Sequence, residues 1–302
     1  MRAEFAREMI ALADEYQNIV FLTGDLGYMA LEQVREKLGK RFINAGVAEQ
    51  NMISVAAGLA REGFVPWTYS IAPFAVLRPY EQIRNDVCLH NLPVKIVGNG
   101  GGYGYGIMGA THHVLEDMAV MRVLPNMKVF VPVFRKDVGE AVRTMMIDPS
   151  PNYLRLNLGL PSTLPVESFR QWRKLKDGRR AIIISIGPVV GNLLGLQDSA
   201  LLGDLEIWSI GVLPLHGLPA ELLQSAKKGK IVVTLEEHYG QCGINETVAQ
   251  LLLEAGCGDI SYKHLCATGY PSGTYGSQRW HQEQSGLAGD SLVSFLKEAL
   301  YG

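Results

Sequence analysis

Phe42-Ile43-Asn44-Ala45-Gly46-Val47-Ala48-Glu49-Gln50-Asn51-Met52 reads as a short strand that runs through a glycine turn into a helix, with one carboxylate in the helix's first turn. Met52, Ile53, Val55, Ala56, Ala57 and Leu59 follow and form an apolar face dense enough to make this helix a core element. Such a helix holds Glu49 in place at its N-terminal end. Taken alone, an acid there needs no other reason than offsetting the helix dipole. The surrounding sequence gives a second reason.

On both sides of this stretch, β-rich runs alternate with amphipathic segments, the pattern of a parallel sheet covered by helices on both faces. Strands are predicted at 19–23, 41–44, 65–69, 94–97, 128–131 and 153–156, then at 181–186, 205–210, 231–235 and 262–265. The polar, proline-bearing stretch 161–180 interrupts the alternation and reads as a linker. The expected organisation is therefore a two-domain α/β protein: a first domain over 1–162, a linker over 163–180 and a smaller second domain over 181–302, each with its own core.

The chain has 302 residues, 47% of them apolar, and its 28 basic and 30 acidic residues are interleaved without a basic stripe, which argues against a nucleic-acid partner. The longest apolar stretch, 181–196, is broken by Gly187, Pro188 and Gly191 and is too short to span a bilayer. The N-terminal segment carries acids and does not read as a secretory signal. Cys88, Cys242, Cys257 and Cys266 are scattered without metal-ligand spacing, as reduced thiols in a cytoplasmic protein would be.

In a parallel sheet the chemistry collects beyond the carboxyl ends of the strands. Asp25, the turn 46–49, the segment 70–74 and the glycine-rich loop 98–113 all fall there. Gly104, Gly106 and Gly109 satisfy Gly-x-Gly-x-x-Gly, but Val129-Phe130-Val131-Pro132-Val133-Phe134 supplies no acid at the end of the next strand, which disfavours a dinucleotide site.

Four segments, read together and in order, resemble the pyrimidine-binding domain of transketolases and deoxyxylulose-phosphate synthases. They are the 44–52 turn and helix start, Arg78-Pro79-Tyr80-Glu81-Gln82-Ile83-Arg84, Gly109-Ala110-Thr111-His112-His113 with Leu115-Glu116-Asp117, and Met121-Arg122-Val123-Leu124-Pro125-Asn126. The remainder is similar to the family's C-terminal domain. The resemblance implies that Glu49 hydrogen-bonds the pyrimidine of thiamine diphosphate and favours the imino form needed for catalysis. It further implies that Phe74, Ile71 and Asp25 lie at the cofactor, that His112 meets the substrate near its reacting carbons, and that Arg2 and Arg155 hold a substrate phosphate. Tyr103, Tyr105 and His113 are expected to line the same pocket.

Some positions depart from the family pattern. A family aspartate is Met108 here, a phosphate-contacting serine is Met29, and a histidine before the glycine loop is Gly100. These changes predict a donor different from the common pentose and hexose phosphates. No Gly-Asp-Gly segment for diphosphate and magnesium is present, so the resemblance implies a C-terminal subunit of a split enzyme. That subunit would self-associate and join an N-terminal diphosphate-binding partner, which carries the Mg2+ ligands, in a 2+2 heterotetramer. The activity implied is transfer of a two-carbon ketol unit to an aldehyde. A deoxyxylulose-synthase-like or 2-keto-acid-using condensation and a non-catalytic paralogue are the alternatives.

Overall fold

The computed structural model describes residues 1–161, 167–229, 231–270 and 273–301. The strands are β1 (Ile19–Thr23), β2 (Phe42–Asn44), β3 (Val65–Ile71), β4 (Lys95–Asn99), β5 (Lys128–Phe130), β6 (Asn152–Leu156), β7 (Trp172–Lys176), β8 (Ala181–Ile186), β9 (Leu205–Ile210), β10 (Val212–Leu213), β11 (Ile231–Tyr239) and β12 (Tyr262–Ala267). They form a seven-stranded sheet, β10-β5-β6-β4-β3-β1-β2, and a five-stranded one, β12-β11-β8-β9-β7. Pairing is parallel except where β10 meets β5 and β7 meets β9. The expected α/β class with mostly parallel sheets is what the chain adopts.

Parallel neighbours need crossovers, and helices on both faces supply them. Along β1 the side chains alternate between two cores. Ile19 and Phe21 pack with Phe5, Met9 and Leu12 of the Arg2–Glu15 helix and with Val138 and Ala141 of the Asp137–Ile147 helix. Val20 and Leu22 pack with Met52, Ile53 and Ala56 of the Glu49–Arg61 helix. That helix is therefore pinned to the sheet along its length, and its first residue is placed at the carboxyl ends of β1 and β2. Its apolar face is narrower than the sequence suggests, since Val55 is 40% exposed.

Two expectations about the division of the chain need correcting. Within the stretch read as a linker, Trp172–Lys176 is β7, an edge strand of the second sheet; its lysines hid it because edge strands carry charge as protection against further pairing. Residues 162–166 of that stretch lie outside the described residues. Nor are the cores independent: Val129, Val131 and Tyr153 share one cluster with Ile182, Ile184, Trp208 and Val232. The short β10, reached from the second sheet, pairs with β5 and binds the halves further. All of the cysteines are free, and among the described residues no helix is long and apolar enough to cross a membrane.

Candidate active site

The turn that delivers Glu49 is held by Asn44, the last residue of β2. Its Oδ1 accepts the backbone N–H of Gly46 at 3.0 Å and of Asp25 at 3.1 Å, while its Nδ2 donates to Asp25 Oδ1 at 2.8 Å. Gly46 takes φ +72°, a conformation glycine adopts without a Cβ penalty. The chain then enters the helix with the Glu49 side chain only 3% exposed. Oε2 accepts from Arg78 Nη1 at 3.1 Å, and Oε1 accepts from Ser70 Oγ at 3.4 Å. Gly24, beside it, has no side chain to fill the space next to Oε1; an added Cβ would lie 3.4 Å from that oxygen.

A line of contacts runs from Glu49 across the rim. The Arg78 guanidinium lies 4.0 Å from the centroid of the Phe74 ring. Phe74 meets His112 edge-on at 5.4 Å, and His112 lies 6.0 Å from Tyr105. His112 Nδ1 is paired with Thr111 Oγ1 at 2.9 Å, and Tyr105 Oη accepts from Asn99 Nδ2 at 2.9 Å. Beyond Tyr105 the line opens into a pocket of about 410 Å³ lined by Arg2, Arg135, Asn99, Gly100, Asn157 and Leu158, among others. Ile71, at the end of β3, is buried and immediately precedes the short helix Ala72–Val76 that bears Phe74, and Asp25 borders a neighbouring cleft of about 310 Å³ with Asn44 and Tyr28.

Glu49, Phe74, His112, Tyr105 and Arg2 are thus brought together, whereas other expected pocket residues face elsewhere. Arg155 is a correction. It is 2% exposed, its Nε donates to Asp117 Oδ2 at 2.7 Å, and its Nη2 donates to the carbonyls of Val114 and Glu237, so these two nitrogens are committed inside the protein. Tyr103 is fully buried, with its hydroxyl donating to the Gly269 carbonyl at 2.6 Å. His113 is buried as well, donating from Nε2 to the Gly106 carbonyl at 2.8 Å and packing edge-on against Tyr103. Along this loop, then, Tyr105 and His112 line the rim while Tyr103 and His113 point into the second domain.

The departures from the family pattern gain a physical account at Gly100. A Cβ there would come within 2.3 Å of the Tyr105 ring, so the tyrosine occupies the space a side chain at 100 would need and brings a hydroxyl with it. Met29 and Met108 are exposed on the rim. Sequence reasoning assigned no role to Arg78, Ser70, Asn44, Asn99 or Arg135. Arg78 and Asn44 stood inside recognised segments and were legible there; nothing local marks Arg135.

Burial holds the His113 imidazole down at about 4, because protonation would put an N–H on Nδ1, which has no hydrogen-bond partner among the described residues. The unfolded imidazole takes up a proton near pH 6.5 and the folded one only near 4. Stability from this site is therefore complete above about pH 6.5 and is lost as pH falls toward 4. Urea unfolding across this range should show that loss, and His113→Leu should flatten it; an unchanged slope in the variant would assign the effect to other groups.

Comparison with known proteins agrees with this geometry. Residues 1–161 match the family model for the transketolase pyrimidine-binding domain. An apulose-4-phosphate transketolase subunit of Phocaeicola vulgatus is 30% identical over 263 residues, 84% of this chain and 83% of its own length. The corresponding subunit of Actinobacillus succinogenes is 29% identical over 84% of this chain and 83% of its own length. A solved split-gene transketolase, described as an inactive β4 tetramer, superposes with a TM-score of 0.82 at 31% identity, covering 99% of this chain and 97% of that one. The matched family and the fold define a transketolase-type pyrimidine-binding domain joined to a second α/β unit. This chain belongs to the transketolase family.

Proposed function

We propose that this chain is the pyrimidine-binding subunit of a two-subunit, thiamine-diphosphate-dependent transketolase that moves a two-carbon ketol unit from a phosphorylated ketose-type donor to an aldehyde. The observation that carries this reading is the line from Glu49 through Arg78, Phe74, His112 and Tyr105 to the pocket of Arg2 and Arg135. Its order is that of the reaction: cofactor, reacting carbons, phosphate.

The residues fit the cofactor's pyrimidine. A buried carboxylate whose Oε1 has the side-chain-free Gly24 beside it can meet a ring nitrogen, and the Phe74 ring, one face of which Arg78 covers, offers an aromatic surface on the same rim. Glu49, Phe74, Ile71 and Asp25 would hold the ring. When bound, thiamine diphosphate supplies a carbon nucleophile able to break and re-form the bond beside a carbonyl. His112, set by Thr111, donates to the substrate oxygen where charge develops. Arg2 and Arg135 hold the phosphate as guanidinium forks, Arg135 taking the part first expected of Arg155. Tyr105 supplies a hydroxyl on the donor side of the pocket.

The relatives named as apulose-4-phosphate transketolase subunits support a sugar phosphate as donor and a second subunit as partner. The diphosphate and its Mg2+ are assigned to that partner, the assembly to a 2+2 heterotetramer in the cytoplasm, and the chain to a pyrimidine-binding domain followed by a C-terminal domain. Calorimetry tests this directly: thiamine diphosphate with Mg2+ should bind tightly only to the mixture of both subunits. Micromolar, stoichiometric binding to this chain alone would overturn the split assignment. In the mixture, Arg135→Ala should raise KM for a phosphorylated donor by about 10–100-fold, the worth of a hydrogen bond to a charged group.

A further inference from the structure

The loop that carries Tyr105 and His112 is gripped from behind by the second sheet, at Glu237 near the carboxyl end of β11. This side chain is 3% exposed. Its Oε1 accepts the backbone N–H of Tyr103 at 2.6 Å and Nε2 of Gln278 at 2.9 Å; its Oε2 accepts Nε2 of Gln282 at 2.5 Å and of Gln278 at 3.1 Å. The groups that meet the carboxylate are donors, so an anion fits, whereas an amide would turn N–H toward N–H. Burial pushes this carboxyl up, and Gln282, Arg155, Tyr103 and Gln278 oppose that push.

The contact is close enough to dictate sequence. At Gly102, φ +66°, an added Cβ would lie 2.4 Å from Glu237 Oε1. Gly102 also exchanges backbone hydrogen bonds with Val114, at 2.8 and 3.0 Å, which closes the base of the loop. Between these anchors the backbone contains Gly104, Gly106 and Gly109, residues that impose little conformational preference of their own. The second domain supplies the missing constraint. Tyr103 bonds Gly269 and Ser285, His281 stacks on its ring at 5.0 Å, and His113 closes on both rings.

We propose that Glu237 is a positioning residue for the transfer reaction: acting through the Tyr103 N–H, its carboxylate sets the 103–113 loop so that Tyr105 and His112 face the substrate. The inference rests on the reading of those two residues as substrate contacts. It gives the second domain a task in catalysis, exercised through the loop that it holds.

The test compares wild type with Glu237→Gln and Glu237→Asp, by amide hydrogen exchange on this chain and by steady-state kinetics with the partner subunit. Glu237→Gln should speed exchange within 103–109 while β1 to β4 keep wild-type protection. Per cofactor-loaded site, kcat should fall by about 10–100-fold, the usual consequence of an ångström-scale misplacement of a reacting group, with the affinity for thiamine diphosphate unchanged. Glu237→Asp keeps the anion and should recover part of the loss. A merely structural role would lower the fraction of loaded sites and leave kcat per site alone; that result overturns the proposal, as does wild-type exchange in the loop. Should Glu237→Gln fail to fold, Gln278→Ala, which loosens the same carboxylate, should show both effects in weaker form, and its silence would count against the proposal. His112→Ala in the same assay separates the two readings. If it keeps wild-type kcat, the substrate assignment fails; if it loses turnover while Glu237→Gln does not, only the positioning role fails.

Discussion

Glu49→Ala is expected to lower kcat of the reconstituted enzyme by about 10²–10⁴-fold, the range lost when a positioned general acid or base is removed. The carboxylate sits on a helix that the core pins to the sheet, with one donor on each oxygen and the side-chain-free Gly24 beside Oε1. Folding should be largely spared. Arg78, the partner left behind, is 47% exposed, so water can solvate the cation once Glu49 is gone. Glu49→Gln keeps the shape but cannot share a proton with the cofactor ring, and it should be nearly as slow. The check is single-turnover kinetics on the mixture beside a urea unfolding curve of the chain. Near-wild-type turnover in Glu49→Ala would remove the basis of the proposed function.

The second large effect is on stability. Asp117→Ala should destabilise the chain by about 3–5 kcal/mol, because it strands the buried Arg155 guanidinium without its carboxylate. Asp117 is fully buried, and its Oδ2 accepts from both Arg155 Nε at 2.7 Å and Tyr153 Oη at 2.8 Å. Arg155→Ala should cost about as much, and chemical denaturation would show both as lowered midpoints. The contrast with Arg135 is the informative part. Arg135→Ala should move KM with little change in midpoint, whereas Arg155→Ala should move the midpoint first. An Arg155→Ala protein of wild-type stability and raised KM would show that this guanidinium meets the substrate after all.

By itself the sequence determined the strand–helix alternation, the class of fold and the place of Glu49, since periodicity and a dense apolar face act over a few residues and leave a local trace. The rim was legible for the same reason, because carboxyl ends of parallel strands are where loops of this kind must lie. Only the tertiary structure decided which way the loop's side chains face. Tyr103 and Tyr105 each stand between two glycines, and they are told apart by Glu237, Gly269 and His281, far along the chain and folded against one of them. Arg155 poses the same problem. A guanidinium has the same local sequence whether its fork meets a phosphate outside or a carboxylate 38 residues earlier inside, and it is the packing of β6 against the Asp117–Arg122 helix that selects the second.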